Sequence, residues 1–473
     1  MKTKYLILAT AALALAACNK QEAPATAELS APAAISFDGY LNRGVATRSG
    51  AAGLMDLDAL KTTGFGVFAY YTDFNLYDAQ STPNFMYNQK VSGADWTYAP
   101  VKYWPNEYGN GAESDDVDKV SFFAYAPYVD VTPSTGKVED ATFGITGMNR
   151  NSASGDPILK YIGSFDPEKS VDLLWGVAAQ TDVEGWNIVN TGNAQDDLEA
   201  GKPWLNVQRP VDGKKLKFTF EHALSKLNVQ IDADVDVTAH AETPALADGT
   251  KIYVRSISFT GFAMKGALNL NNSVADNAEW LDYQGVNDIV SSEPFVLYDG
   301  RKDGREGVVG ATASNEKSLG LNPVIISDDG NNQVGVTATP VNLFGTSKTE
   351  TDNTDPLNPV EVPVAIGVDE SIYVIPVDEV IEITIDYDVE TADENLPNLL
   401  SDGKTYGSKI NNKITKKVSL SNSTATTTKF ENGKSYVIKL HLGMESVKFD
   451  AFVTGWDSNV NNGEAWLPAN QHE

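Results

Sequence analysis

Cysteine and histidine are scarce in this sequence of 473 residues. It contains one cysteine, Cys18, and four histidines, His222, His240, His441 and His472. A single cysteine excludes an intramolecular disulfide and a thiolate metal site. No two histidines stand at a spacing typical of metal-binding pairs. The sequence therefore predicts neither a cofactor nor a metal centre built from these residue types.

Basic residues are also under-represented. The chain has 64 Asp and Glu against 36 Lys and Arg, so its formal net charge is −28. An acidic surface repels phosphate backbones, which argues against nucleic acid as a partner. Hydrophobic residues make up 42% of the chain, a proportion typical of globular proteins. The length suits two or three domains.

The one marked hydrophobic run lies at the N-terminus, from Tyr5 to Ala17, after Lys2 and Lys4. It is shorter than the roughly 20 residues that a membrane-spanning helix needs. A basic start followed by a short apolar run is typical of a secretory signal peptide, here residues 1–17. The run ends in "LAAC", which resembles the lipobox of bacterial lipoproteins and predicts lipidation at Cys18. Residues 18–34 are rich in Ala, Pro and Glu and predict a flexible tether.

Strict alternation of apolar and polar residues recurs along the remainder of the chain. In "IEITIDYDV" the apolar residues Ile383 and Ile385 share one face, and Asp386 and Asp388 share the other. The stretches "KVSFFAYAPYV", "DLLWGVA", "SIYVIPV", "SYVIKLHL" and "SVKFDAFV" are further predicted strands. Helical periodicity is confined to one or two turns around Leu57 and Leu60. Short strands separated by Gly, Asn, Asp and Pro clusters predict an all-β protein built from β-sandwiches.

The alternation changes phase within "KLKFTFEHALSKLNVQI". Phe218 and Phe220 have one parity, whereas Leu227 and Val229 have the other. Such a slip indicates a bulge or a strand that passes from one sheet to the next. His222, next to the slip, is interpreted as a packed or hydrogen-bonded structural histidine. A Pro/Gly-bearing connection just upstream places a domain boundary near residue 212, which gives an N-terminal domain 35–212 and a C-terminal domain 213–473. The stretch 300–363 is rich in loop residues, with room for a hairpin or an insertion.

Catalytic motifs are missing. The chain has no phosphate-binding Walker A loop and no GxSxG nucleophile elbow, so we expect no enzyme. Paired carboxylates for glycoside cleavage are defined by their separation in space, and nothing in the sequence selects a pair. Acidic clusters leave a calcium site open, although none has EF-hand spacing. These clusters are Asp115, Asp116 and Asp118, and Asp328 and Asp329.

Aromatic residues are concentrated in "DWTYAPVKYWPNEYG". Two interpretations are open. Trp96 and Trp104 could face a ligand such as a glycan, or these rings could form the core and interface packing of a β-domain. The composition favours packing.

Ten stretches, in order over nearly the whole chain, are similar to the fimbrillin family of Bacteroides-type bacteria, whose members are subunits of cell-surface fimbriae. They are "LAAC", "ISFDGYL", "ATRSG", "GFGVFAYY", "WTYAPVKYWPN", "KVSFFAYAPY", "LKFTFEHALSKLNVQI", "SIYVIPV", "SYVIKLHLGMESVKFDAFVTGW" and a closing "WLP". Each stretch alone is weakly specific, and the ordered set is more so.

The resemblance implies two tandem transthyretin-like Greek-key β-sandwich domains. It also implies an outer-membrane lipoprotein that an arginine-specific surface protease cleaves between Arg48 and Ser49, with Arg43 as the competing site. Cleavage would separate "ISFDGYL", residues 35–41, from the rest of the protein. A strand from another fimbrial subunit, expected to lie in the C-terminal segment from "VKFDAFVTGW" to "EAWLP", would replace it and build a polymer that supports adhesion.

Two alternatives remain at this point. The chain could be a monomeric surface lipoprotein or tip adhesin that binds glycan or protein ligands through Trp96 and Trp104. It could also be a secreted hydrolase on a β-sandwich. An anchor subunit of a fimbria would keep its lipid and escape cleavage.

Overall fold

The computed structural model describes the following residues: 32–41, 55–105, 118–164, 167–178, 183, 186, 201–210, 214–233, 250–272, 278–289, 295–299, 325–327, 341–342, 348–352, 360–364, 371–400, 405–418, 420–421, 426–442 and 447–455. Regular structure in these residues is dominated by β-strands. This confirms the all-β prediction. The transthyretin-like Greek-key topology and the tandem arrangement stay predictions.

One short helix, α1, spans Leu57–Thr63 and falls where the sequence predicts a helical turn. Asp56 caps its N-terminus, because a side-chain oxygen accepts a hydrogen bond from the Ala59 amide at 2.7 Å. The helix ends at Gly64, whose φ of +79° favours glycine. Leu60 is fully buried and joins α1 to the core. In addition, Pro167–Lys169 form a 3-10 turn.

Nine strands precede the predicted boundary near residue 212 or cross just beyond it. They are β1 Phe37–Leu41, β2 Phe65–Asp73, β3 Met86–Val91, β4 Lys119–Ala126, β5 Gly144–Met148, β6 Ile158–Ile162, β7 Leu174–Val177, β8 Trp204–Val207 and β9 Leu216–His222. Seven of them form one sheet in the order β1-β9-β7-β4-β2-β3, with β8 also paired to β4. The pairing of β1 with β9 is parallel, and the other pairings in this sheet are antiparallel.

The rest of the chain adds seventeen described strands. They are β10 Ser225–Ala233, β11 Thr250–Phe259, β12 Phe262–Ala263, β13 Lys265–Asn269, β14 Glu279–Leu281, β15 Phe295–Asp299, β16 Ile325–Ser327, β17 Val341–Asn342, β18 Lys348–Asp352, β19 Val360–Val364, β20 Ile372–Pro376, β21 Glu382–Ala392, β22 Gly407–Lys417, β23 Leu420–Ser421, β24 Thr426–Thr427, β25 Lys434–Leu442 and β26 Val447–Gly455. The predicted strands around residues 119–129, 172–178, 371–377, 381–389, 435–442 and 446–453 are therefore confirmed. The stretch 300–363, for which the sequence left a hairpin or an insertion open, contributes the antiparallel pair β18 and β19.

The later strands form separate sheets. One sheet has the order β12-β20-β10-β25-β26-β23-β24, with β17 also paired to β10, and another has the order β15-β11-β21-β22, with β16 also paired to β11. A four-stranded sheet with the order β14-β13-β6-β5 combines strands from both sides of residue 212. Its core contains Tyr161 from β6 and Trp280 from β14, whose ring centroids are 6.0 Å apart. The two halves of the chain thus share one sheet and one hydrophobic cluster, and the domain boundary near residue 212 stays a prediction.

The phase change in the sequence coincides with a change of sheet. β9 ends at His222 in the first sheet, and β10 begins at Ser225 in another. The prediction of a strand that passes between sheets is therefore confirmed. His222 Nδ1 lies 3.1 Å from Asp172 Oδ1, and the Asp172 side chain is fully buried. This contact agrees with a structural role for the histidine.

The polar face of β21 differs from the half-buried strand that its alternation suggests. Asp386 is 6% exposed and Asp388 is 0% exposed. The neighbouring edge strand β22 covers them, since Asn411 Nδ2 donates to Asp386 Oδ1 at 2.8 Å and to Asp388 Oδ1 at 2.9 Å. Lys409 Nζ lies 3.2 Å from Asp388 Oδ2 and 3.3 Å from Glu390 Oε1. Alternation identified the strand, and Asn411 and Lys409 of β22 supply polar and charged partners for the buried carboxylates on its polar face.

Candidate functional site

The first strand occupies a groove at the edge of the N-terminal sheet. β1 runs parallel to β9 in a register that pairs Phe37 with Leu216 and Leu41 with Phe220. The Leu216 amide donates a hydrogen bond to the Ser36 carbonyl at 2.9 Å. The parallel ladder with β9 is thus one wall of the groove.

The segment 101–105 forms the opposite wall around the start of β1. The Ile35 amide donates to the Lys102 carbonyl at 2.9 Å, and the Trp104 amide donates to the Ala33 carbonyl at 2.9 Å. The Tyr98 hydroxyl also donates to the Ile35 carbonyl at 2.8 Å. Residues 33–36 therefore hydrogen-bond to chain on both sides, which is the environment of an inserted strand.

Alternate side chains of the segment point into the core beneath the groove. Ile35 and Phe37 are 2% and 1% exposed, and Leu41 packs partly buried against the same cluster. The Phe37 ring lies 5.3 Å from that of Tyr98 and 6.1 Å from that of Phe122, between centroids. Burial of an aliphatic or aromatic side chain of this size contributes about 1.5–3 kcal/mol. The segment is held by apolar burial as well as by backbone hydrogen bonds.

Gly39 occupies the third inward position, where the groove is shallow. A Cβ atom built on this residue would lie 3.1 Å from Phe65 Cε1 and 3.3 Å from the Trp96 ring. These separations are tighter than ordinary van der Waals contact, so even one methyl group requires the rings to move by a few tenths of an ångström. The floor of the groove thus accommodates the large side chains of Ile35 and Phe37 but is closed beneath Gly39.

The outward side chains of β1 make two contacts with β9 and the residue before it. Asp38 Oδ1 lies 3.2 Å from Lys215 Nζ, and both side chains keep contact with solvent. Lys217 Nζ lies 6.0 Å from the centroid of the Tyr40 ring, within cation–π range. The outward face of β1 therefore forms an ion pair with Lys215, which requires an acidic residue at position 38.

Trp96 and Trp104 are part of this groove and do not form an open surface. They are 7% and 4% exposed and belong to the core cluster beneath β1. Trp96 packs against Phe65 at 5.4 Å, and Trp104 packs against Phe122 at 5.7 Å, between ring centroids. The structure supports the packing interpretation of these aromatics, because neither indole presents a substantial surface to solvent.

The predicted processing and lipidation residues lie outside the described residues. Cys18, Arg48 and Ser49 are among them, as is the competing Arg43. Their order along the chain is nevertheless informative, since residues 42–54 join β1 to Met55 and contain both arginines. A cut at either arginine would sever the one covalent link between residues 32–41 and the later strands.

The described residues also bear on the acidic clusters and metal sites that the sequence left open. They contain no group of three or more His, Cys, Asp or Glu side chains placed to hold a metal ion. The predicted acidic clusters fall mostly outside the described residues; Asp118 is described, and it accepts a hydrogen bond from the Tyr71 hydroxyl at 2.8 Å. Among the described helices, none is long and apolar enough to cross a membrane.

No protein-family model matches the chain, and no curated protein matches it either. Several solved structures match over most of the chain. A fimbrial protein from Bacteroides vulgatus is 18% identical with a TM-score of 0.45, and the match covers 90% of this chain and 99% of that one. A "putative cell adhesion protein" from Bacteroides uniformis is 14% identical with a TM-score of 0.33, over 90% and 98% of the two chains. Another of that description from Parabacteroides distasonis is 7% identical with a TM-score of 0.39, over 90% and 96%.

Proposed function

We propose that this chain is a structural subunit of cell-surface fimbriae that polymerises by exchange of its first strand. The observation that carries the proposal is the placement of residues 33–41. They form an edge segment with a buried face, and residues 42–54, which contain Arg43 and Arg48, connect them to the rest of the fold. In this account the chain is exported as a lipoprotein through Cys18 and is then cleaved after Arg48.

Loss of the segment would expose backbone amides, a backbone carbonyl and an apolar surface. The amide of Leu216, the carbonyl of Lys102 and the amide of Trp104 would lose their hydrogen-bond partners from residues 33–36. The apolar floor under Ile35 and Phe37 would meet water. Unpaired strand edges with an apolar groove readily accept another strand, and main-chain hydrogen bonds then give affinity while side-chain pockets give specificity.

Head-to-tail filling of this groove would build a filament. The donating strand and the accepting groove are different parts of one chain. Two joined subunits therefore still have one empty groove and one unused donating strand. Because such a heterologous contact does not close into a ring, further subunits can be added at the ends. Adhesion would follow from the filament.

The first test is the N-terminal sequence and mass of the protein isolated from the surface of cells that produce it. We expect a start at Ser49, together with an SDS-resistant ladder of oligomers. Arg48→Ala should abolish the ladder, whereas the matched variant Arg43→Ala should retain it. A start at lipidated Cys18 with the Arg48–Ser49 bond intact would contradict the proposal and would indicate an anchor subunit or a monomeric binding lipoprotein.

The alternative of a ligand-binding lipoprotein relied on Trp96 and Trp104 as exposed aromatics. Both are buried beneath β1, and no described feature favours that function over polymerisation.

A further inference from the structure

Two adjacent strands bring one amine and two carboxyl groups together at a buried site. Lys409 on β22 stands directly opposite Glu390 on β21 in the register of the two strands. Its Nζ atom lies 3.3 Å from Glu390 Oε1 and 3.2 Å from Oδ2 of Asp388, which is also on β21. The side chains of Asp388 and Glu390 are 0% and 2% exposed. A primary amine is therefore held against two carboxyl groups that solvent does not reach.

Burial distinguishes this site from an ordinary ion pair of the same chain. Lys215 Nζ also lies 3.2 Å from a carboxylate, that of Asp38, but those side chains are 49% and 18% exposed. Water hydrates such a pair and keeps both groups charged. Burial instead disfavours charged forms. At the Lys409 site, transfer of one proton from the ammonium to a carboxylate gives a neutral amine beside a neutral carboxylic acid, which are the reactants of an amide condensation.

The hydrogen bonding of Asp388 suits it to accept the amine. Its Oδ1 atom, the oxygen that does not face Lys409, accepts a hydrogen bond from Asn411 Nδ2 at 2.9 Å. Negative charge develops on this oxygen when an amine adds to the carboxyl carbon, and a donor already in place stabilises that charge. Oδ2, next to Nζ, is then the oxygen that leaves. Glu390 Oε1, at 3.3 Å from the same Nζ, is close enough to receive its proton.

We propose that Lys409 Nζ and Asp388 Cγ form an intramolecular amide bond, with Glu390 as the proton relay. The nitrogen lone pair forms the C–N bond, and the Cγ–Oδ2 bond breaks. One of the three ammonium protons stays on the amide nitrogen, and Glu390 passes the other two in turn to Oδ2, which leaves as water. Glu390 ends in the state in which it began, and no oxidant, reductant or further reactant is consumed. The ion pair in the structure is the state before condensation.

The amide bond fixes an edge strand to its neighbour. In the described sheet β15-β11-β21-β22, β22 is at the end and pairs with β21 along eleven residues. The fold itself supplies the reactivity, because groups held in contact have a high effective concentration. The bond therefore forms after β21 and β22 have paired, and it prevents their complete separation. This inference goes beyond the proposed function and does not depend on it.

The intact mass of the folded protein from Asn19 onward, produced without lipid and without arginine cleavage, tests the bond. We expect a mass lower than the sequence mass by one water molecule. Lys409→Arg keeps the positive charge but should restore the full sequence mass, because a guanidinium is a poor nucleophile. Lys413→Arg, at an exposed position of the same strand, is the matched control and should retain the loss.

Peptide mapping identifies the two residues that are joined. Chymotrypsin is the suitable protease, and fragmentation of the joined species should place the link between Asp388 and Lys409. Trypsin is unsuitable because the tryptic peptides 349–404 and 405–413 are adjacent, so their joined form has the same mass as the uncut peptide. Glu390→Gln, which cannot relay protons, should lower the joined fraction about tenfold or more. Circular dichroism checks that each variant is folded.

The results that would overturn the inference are distinct from failure of the proposed function. A folded parent protein with the full sequence mass would show that Lys409 remains an ion-pair partner. A loss of water that persists in Lys409→Arg would place the reaction elsewhere. A link to Glu390, or an unchanged joined fraction in Glu390→Gln, would overturn the roles assigned to the two carboxyl groups. All these measurements precede cleavage after Arg48, so they leave the N-terminal test of the proposed function unaffected.

Discussion

Gly39 lies over the ring of Phe65, so that a Cβ atom on the glycine would come within 3.1 Å of Phe65 Cε1. The same atom would lie 3.3 Å from Trp96. The two rings close the groove at this one point, whereas the larger side chains of Ile35 and Phe37, earlier on the same buried face, are 2% and 1% exposed. A single residue position therefore controls how closely the first strand can approach the core.

Gly39→Val should destabilise the intact protein by about 1–3 kcal/mol, because the branched side chain has to displace Phe65 and Trp96. Urea denaturation of the protein from Asn19 onward measures the change. Tyr40→Val, on the exposed side of the same strand, is the control and should change the free energy of unfolding by less than about 0.5 kcal/mol. A Gly39→Val variant as stable as the control would mean that the first strand is not seated as described.

Trp96→Ala should lower stability by about 3–5 kcal/mol, because it removes a buried indole from beneath β1. Tyr103→Ala is the matched control, since Tyr103 belongs to the same aromatic stretch and is 53% exposed. Thermal or urea unfolding separates the two variants. Loss of glycan binding by Trp96→Ala with unchanged stability would instead revive the ligand-binding interpretation.

Lys409→Ala should destabilise the protein by about 3 kcal/mol, because it removes a cation that lies between two buried carboxylates, Asp388 and Glu390. Lys413→Ala, an exposed lysine on the same strand β22, should have little effect. Chemical unfolding monitored by circular dichroism compares them. Equal stabilities would show that other groups around Asp388 and Glu390 balance their charge.

Glu279→Gln should stabilise the protein at neutral pH. Burial, followed by the nearby charges of Asp156 and Asp288, raises the pKa of Glu279 above its ordinary value of 4.5. A raised folded-state pKa means that folding favours the protonated carboxyl over the charged one, so this contribution to stability is complete below pH 4.5 and is lost as pH rises through the folded-state pKa.

The expected gain for Glu279→Gln is about 0.5 kcal/mol at pH 7, small because the side chain keeps contact with solvent. Unfolding curves at pH 7 and pH 4 measure it, and the difference from the parent protein should shrink at pH 4. The exposed Glu394→Gln is the control. A gain of the same size at both pH values would point to a cause other than the charge of Glu279.

Local features of the sequence predicted much of the fold. Alternation located the strands, and the change of phase between Phe220 and Leu227 correctly placed the change of sheet, because side-chain parity is fixed by backbone geometry. Alternation does not say what packs against a face. The contacts of Asp388 with β22 and the shared sheet of β6 and β13 join residues distant in sequence, and no local pattern reveals them.

The candidate site was visible only in part. "ISFDGYL" and the arginines after it stand out in the sequence, but the parallel pairing of Phe37 with Leu216 joins residues that no local signal connects. The sequence left two interpretations open for Trp96 and Trp104, with packing favoured. Composition does not show which aromatic side chains face solvent.

The parallel pairing of the first strand has a consequence for how the protein is made. Asp38 and Lys215 are 177 positions apart, so when the chain emerges N-terminus first, β1 has no partner until β9 has been delivered. Contacts this distant in sequence form late, because the intervening loop must close first. We therefore expect the pairing of β1 with β9 to be among the later steps of folding. A folding intermediate whose first sheet lacks β1 would have the same empty groove as the cleaved subunit that we propose.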